Sequence, residues 1–209
     1  MAIPLKPDPV THVAFFRNMN LGQSRSKSPT SGILINAFLS AGAEWATNVQ
    51  TNGTVIFAST MVDDVIGRLR PLLLAATGYS DAVVVRPAAW VKECGQRLDP
   101  LIPAAEVALF DAEALPELDV PWIDPSGHLT VLDLDLLHAV TSWTGTRTGS
   151  SSNPTLTRML GVPVTCRGVP TMVRLAIRLS RPTSTHEESS GRPSAPPGGR
   201  TVRPSGNTR

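Results

Sequence analysis

Apolar and polar positions alternate in blocks along the first half of the chain. Val13-Ala14-Phe15-Phe16 is a continuous apolar run closed by Arg17-Asn18, which predicts a buried strand. Residues 21–30 form a polar loop with Gly22, three serines and Pro29. Thr30 or Ser31 is placed to cap a helix by accepting a hydrogen bond from a free N–H of its first turn. Leu34, Ala37, Phe38 and Ala41 then recur at helical spacing, and Gly42 suits the left-handed residue that ends a helix. Two short strands follow, 46–51 and 54–59. The Asn52-Gly53 pair between them predicts a tight type I′ hairpin turn. Asp63 and Asp64 open a second helix at its positive end, with Val65, Ile66, Leu69, Leu72, Leu73 and Ala76 on its apolar face and Gly78 after it. Pro71 lies inside and predicts a kink or break. Residues 82–86, Ala-Val-Val-Val-Arg, complete the series as a buried strand.

The order strand, helix, strand, strand, helix, strand over residues 12–86 is that of a split βαβ, or ferredoxin-like, lobe. A smaller α+β lobe over residues 87–180 is expected to complete a two-lobed unit. It would hold a helix over 87–98 and strands over 106–110, 129–134 and 137–143, the last two joined by a poor turn at Asp135-Leu136. A helix capped by Ser152 or Asn153 would run to Leu160 and stop at Gly161. A last helix would start at Pro170 and bury Met172, Val173, Leu175, Ala176 and Leu179. Residues 1–11 form an N-terminal extension. Residues 181–209, rich in Pro, Gly, Ser and Arg, bury too little to offset ordering entropy and are expected to be disordered.

Charge changes this picture more than composition does. The net charge of +2 hides strong segregation. Residues 98–146 carry nine acids and no Lys or Arg, whereas residues 147–180 carry five arginines and no acid. Either the acidic middle neutralises the basic segments on either side, or those segments meet and form an anion site. The body of the chain is close to neutral, which disfavours a globally basic nucleic-acid-binding domain. No eighteen-residue apolar run exists, so no membrane span is expected, and the first ten residues do not read as a signal peptide. Two cysteines, Cys94 and Cys166, exclude a disulfide scaffold and a zinc cluster and fit a reducing cytoplasm.

Three stretches carry a family resemblance. Arg17-Asn18-Met19-Asn20-Leu21-Gly22-Gln23 follows the first strand. Val49-Gln50-Thr51-Asn52-Gly53-Thr54-Val55-Ile56-Phe57 spans the hairpin. Leu160-Gly161-Val162-Pro163-Val164-Thr165-Cys166-Arg167, with Thr171 and Val173, precedes and opens the last helix. Together, in this order over about residues 12–179, they resemble family 1697 of the domains of unknown function, a bacterial group. Arg17, Asn20, Gly22, Gln50, Thr165, Arg167 and Thr171 match its pattern position by position. The resemblance implies a two-lobed α+β fold and no assigned reaction. Asn18 and Gln23 stand where the family has glycines, Gly168-Val169-Pro170 stands where it has a Trp, and Lys27 lies one step from its Lys.

The candidate site follows from the basic loops. Arg17, Asn20 and Gly22, with Arg25 and Lys27, would face Arg147, the Gly149–Asn153 segment including Ser152, and Arg167. Free N–H groups at a helix start and bidentate guanidinium donors suit phosphate or carboxylate. The competing reading is structural: Arg17 and Asn20 tie down their own loop, and Arg167 pairs with the acidic middle. His12, His128 and His138 lack metal-ligand spacing. Asp133 and Asp135 share a strand face near His138, as a base, a metal pair or plain solvated carboxylates. Cys94 reads as packed. Cys166 stands beside a charge that would lower its pKa, and nothing in the sequence pairs it with a base. The irregularly spaced tryptophans, Trp45, Trp90, Trp122 and Trp143, read as packing. No Gly-x-Ser-x-Gly, phosphate-binding loop or dinucleotide fingerprint occurs, and no cofactor is expected. Three functions stay open: a binding module for a small anionic, phosphorylated ligand, an RNA- or single-stranded-DNA-contacting protein, and an enzyme of unknown reaction. Oligomeric state is not legible.

Overall fold

The computed structural model describes residues 10–23, 26–98, 102, 104–144 and 152–181. The expectations for Arg25, Arg147, residues 149–151 and the tail lie outside them.

The first half folds as β1 (Val10–Phe16), α1 (Ser31–Ala41), β2 (Trp45–Gln50), β3 (Thr54–Ser59), α2 (Val62–Thr77) and β4 (Val83–Pro87). These strands form one sheet in the order β2-β3-β1-β4, antiparallel throughout. This arrangement accords with the split βαβ lobe. Thr30 caps α1 by accepting from the Ile33 N–H, and Gly42 ends it at φ 105°. Leu34, Ala37, Phe38 and Ala41 are all buried.

Three local expectations are corrected. The hairpin is not a type I′ turn. Gln50 pairs with Thr54, which leaves a three-residue loop in which Gly53 alone takes positive φ. Three-residue hairpin loops are the next commonest solution and place a left-handed residue, here Gly53, before the second strand. The second helix runs unbroken through the exposed Pro71. Its apolar face is also narrower than expected, because Leu72 and Ala76 are exposed.

The second half adds α3 (Ala88–Arg97), β5 (Ala105–Leu109), β6 (Trp122–Ile123), β7 (Leu129–Leu134), β8 (His138–Trp143), α4 (Asn153–Leu160), β9 (Thr165–Gly168) and α5 (Val169–Ser180). Its sheet has the order β6-β7-β8-β5-β9. The short strands β6 and β9 carry too few residues to show a period. Asp135 turns out to make a good turn. Its carboxylate accepts from the Leu137 and His138 N–H groups at 2.7 Å each, an Asx-type closure of the β7–β8 connection. Burial opposes the charge on Asp135, but those backbone donors outweigh it and hold the carboxyl below its ordinary range.

Side chains alternate across the strands, so each sheet feeds two cores. Ala14, Phe16, Val55 and Phe57 pack under α1 and α2 with Leu34, Phe38, Leu69 and Leu73. Val13, Phe15, Ile56 and Val84 face the other way and share a core with α3, α5 and the Val107/Leu109 face of β5. Ala108, Phe110, Val131 and Ala139 meet Leu156 of α4. The continuous apolar run at 13–16 is therefore a strand buried on both faces, as is β3 along its whole length.

The middle core depends on a close approach of α3 to α5. A Cβ on Gly95 would lie 2.6 Å from the Met172 carbonyl oxygen and 2.7 Å from the Ala176 Cβ. Neither atom is the free end of a flexible chain. Gly95→Ala is expected to lower unfolding free energy by about 1–3 kcal/mol through overpacking, read by urea denaturation. An unchanged midpoint would show that the helices separate at no cost.

Two buried arginines join the halves. Arg86 of β4 donates to the carbonyls of Phe110 and Leu137 and pairs with Asp111 at 2.8 Å. Arg167 of β9 reaches back to the hairpin and the end of β1.

Candidate functional site

Arg167 decides the character of the site. Burial alternates along β9, so Thr165 and Arg167 point inward while Cys166 faces the opposite side. The Arg167 side chain is 5% exposed. Its Nε donates to Thr54 Oγ1 at 2.8 Å. Nη1 donates to Thr165 Oγ1 at 3.0 Å and to the Cys166 carbonyl at 2.8 Å. Nη2 donates to the carbonyls of Phe16 (3.1 Å), Asn52 (2.8 Å) and Gly53 (3.1 Å). All five guanidinium hydrogens are thereby used. The group also sits 5.5 Å from the Phe15 ring centroid.

Every one of these acceptors is neutral. Arg86 has Asp111 as a counter-ion and Arg17 has Asp81 at 3.5 Å, but no carboxylate among the described residues pairs with Arg167. Burial pulls its pKa down to about 10, which still leaves it charged at neutral pH. A desolvated positive charge with no counter-ion raises the potential of whatever space it borders.

That space is an open cleft of about 390 Å³, lined by Phe16, Asn18, Met19, Asn20, Asn52, Asn153, Thr165, Cys166 and Arg167. Among the described residues no acidic side chain lines it. The first loop supplies Asn18 and Asn20, the hairpin tip Asn52, and the start of α4 Asn153. The first turn of α4 holds no acid of its own, and the Glu106 carboxylate accepts from Ser152 at its start.

The sequence-predicted residues separate around this cleft. Asn20 and Arg167 line it. Arg17 does not: its guanidinium turns to Asp81, and its carbonyl accepts from the Tyr79 hydroxyl at 2.5 Å. Burial, with Asp81 adding to it, raises the Tyr79 pKa, so that hydroxyl stays a donor. Gly22 takes φ 77° and donates its N–H to the Pro29 carbonyl. Lys27 borders a separate shallow pocket with Asn18, Tyr79, Ser80 and Asp81. Ser152 precedes α4 but makes no side-chain cap; its hydroxyl instead donates to Glu106 Oε2 at 2.8 Å and lies 3.0 Å from Cys166 Sγ. Arg147 lies outside the described residues.

Of the matched family positions, Thr165 supports Arg167, and Gln50 accepts from Thr171 at 3.3 Å. Asn18 takes φ 51° and anchors itself by donating to Asp81 at 2.7 Å. Asparagine tolerates that left-handed conformation better than most side chains.

Asn153, from the predicted segment, lines the cleft as expected, whereas sequence reasoning missed Asn52 and Cys166 as wall residues. Asn52 is legible only as a turn residue. Glu106, behind Ser152, carries no sequence signal of its role. His138 is buried with Nδ1 2.9 Å from Asp135 and Nε2 3.9 Å from Asp133. Among the described residues no group of three His, Cys, Asp or Glu is arranged to hold a metal ion. Trp90 and Trp122 pack as expected, whereas Trp45 is exposed.

The solved structure of the conserved bacterial protein SP0830 from Streptococcus pneumoniae is similar to this chain, with a TM-score of 0.54 over 83% of this chain and 99% of that one. Identity is 13%, so the likeness speaks for the fold alone. No family model matches the chain, and no curated protein matches it. No described helix is long and apolar enough to cross a membrane. A ferredoxin-like sheet binds RNA by stacking bases on an open face. Here β3 and residues 13–16 of β1 are buried on both faces, which removes that platform.

Proposed function

We propose that the cleft above Arg167 binds a small anionic ligand, a phosphate or carboxylate group on a small molecule, and that the chain is a divergent relative of the 1697 family. One observation carries the reading: among the described residues, a buried guanidinium without a counter-ion borders an open cleft whose other polar walls are neutral. Arg167 acts through its charge, since its donors are occupied. Direct hydrogen bonds would come from the amides of Asn20 and Asn153. Among the described residues neither amide nitrogen has an acceptor of its own.

Thermal melts test this with inorganic phosphate, nucleotides and sugar phosphates. A member that binds should raise Tm by about 5–11 °C at a hundredfold excess over its Kd. Asn153→Asp places a carboxylate in the cleft and should abolish the shift, whereas Arg17→Ala should keep it. No stabilisation by any member, or equal shifts in Asn153→Asp, would reject the reading.

A further inference from the structure

The opposite face of β9 carries chemistry that anion binding does not use. Ala108 of β5 pairs with Cys166, so Glu106, two residues earlier, shares a sheet face with that thiol. Ser152, 1% exposed, stands between them. The Cys166 thiol donates to Asn153 Oδ1 at 2.8 Å. The single Ser152 hydroxyl hydrogen lies on Glu106, which leaves an Oγ lone pair free to face the sulfur at 3.0 Å. A nucleophile, a hydroxyl relay, a carboxylate base and an orienting amide are thus in hydrogen-bond sequence, and the nucleophile opens on the cleft.

From this arrangement we propose that Cys166 is a nucleophilic thiol that attacks small electrophiles entering the cleft, with Glu106 taking its proton through Ser152. Resting on the anion reading, the preferred electrophile carries a carboxylate or phosphate. The step balances within the site. The thiol hydrogen swings from Asn153 to Ser152 Oγ as the Ser152 hydrogen passes to Glu106. The thiolate attacks the electrophilic carbon, a carbon–sulfur bond forms, and the leaving group departs with its bonding electrons. The half-buried Glu106 then gives the proton up to solvent, so that the thiol hydrogen and the departed leaving group are released together as the net acid. Among the described residues, the charged groups around the sulfur are Glu106 from β5, reached through Ser152, and Arg167, its chain neighbour in β9. Cys94 supplies an internal reference. It is 2% exposed, and burial pushes its thiol up to about 11.

Alkylation of the full-length protein, followed residue by residue by mass spectrometry, tests the proposal. Iodoacetamide should modify Cys166 but not Cys94 in the native protein. At pH 6.5 the Cys166 rate should exceed that of free cysteine about tenfold or more. Glu106→Gln and Ser152→Ala, checked for unchanged thermal unfolding, should lose this advantage at pH 6.5 and converge with the parent near pH 10, where the thiol ionises unaided. Cys166 slower than free cysteine, or a pH profile untouched by both variants, overturns the nucleophile. The ratio of iodoacetate to iodoacetamide rates, compared with free cysteine, should be raised. An unraised ratio with fast iodoacetamide overturns the anionic preference while the thiol stands.

Discussion

Replacing Arg167 by Met should cost at least about 3 kcal/mol of unfolding free energy. The side chain is close in volume, so the effect comes from hydrogen bonding. Three backbone carbonyls, Phe16, Asn52 and Gly53, and the Thr54 hydroxyl lose their shared donor at the junction of the halves. The Gly53 carbonyl keeps the Phe16 N–H and the Phe16 carbonyl keeps the Thr165 hydroxyl, so among the described residues the Asn52 carbonyl is the acceptor stripped of its donor, at about 1–3 kcal/mol, and the lost charge-assisted bonds to the others add to it. Arg167→Lys should fall between the two, because an ammonium keeps the charge but has three donors and no planar fork. Urea denaturation of both variants reads the effect. A loss below about 1 kcal/mol in Arg167→Met would mean that this network does not hold the halves together.

The second large effect is expected at Gly53. The residue takes φ 66°, and an added Cβ would meet Met19 Cβ at 2.8 Å and Phe16 Cβ at 2.9 Å. The Met19 side chain has rotamer freedom, but the Phe16 Cβ is fixed to the backbone of a buried strand. Left-handed strain of about 1–2 kcal/mol adds to overpacking of about 1–3 kcal/mol in Gly53→Ala. The same shift would move the Gly53 carbonyl away from Arg167, so the two substitutions should not add. Gly22→Ala is the control. Gly22 has φ 77° with nothing within 4 Å of its added Cβ, so strain alone should remain. Equal losses at the two glycines would show that the crowding at Gly53 is relieved without cost.

The difference between what was legible in the sequence and what was not has a physical origin. Periodicity and caps are local, and so the helix capped by Thr30, the strand pair around Asn52-Gly53 and the burial of Leu34, Phe38 and Leu69 follow from neighbouring residues. The type of hairpin turn depends on one extra loop residue, which composition does not register. For β9, whose four residues have their meaning only beside β5, no local signal exists. The site shows the same split. Arg167 and Asn20 stand out as basic and polar residues in loop-flanking motifs, and both line the cleft. The partner of Arg17 is a matter of tertiary placement, because Asp81 lies 64 residues away in sequence. Charge segregation along the chain also resolves residue by residue. The acidic middle supplies Asp111 to Arg86, while Arg167, from the basic segment, is left with neutral partners.

The claim that most needs testing is that this unneutralised charge makes the cleft an anion site. The direct measurement is a titration of the isotope-labelled protein with inorganic phosphate and a sugar phosphate, followed through the side-chain amide resonances of Asn18, Asn20, Asn52 and Asn153. Saturable shifts at Asn20 and Asn153, lost in Asn153→Asp and weakened by added salt, are the predicted result. Shifts confined to exposed lysines and arginines, with those amides unmoved up to the highest concentration, would contradict it.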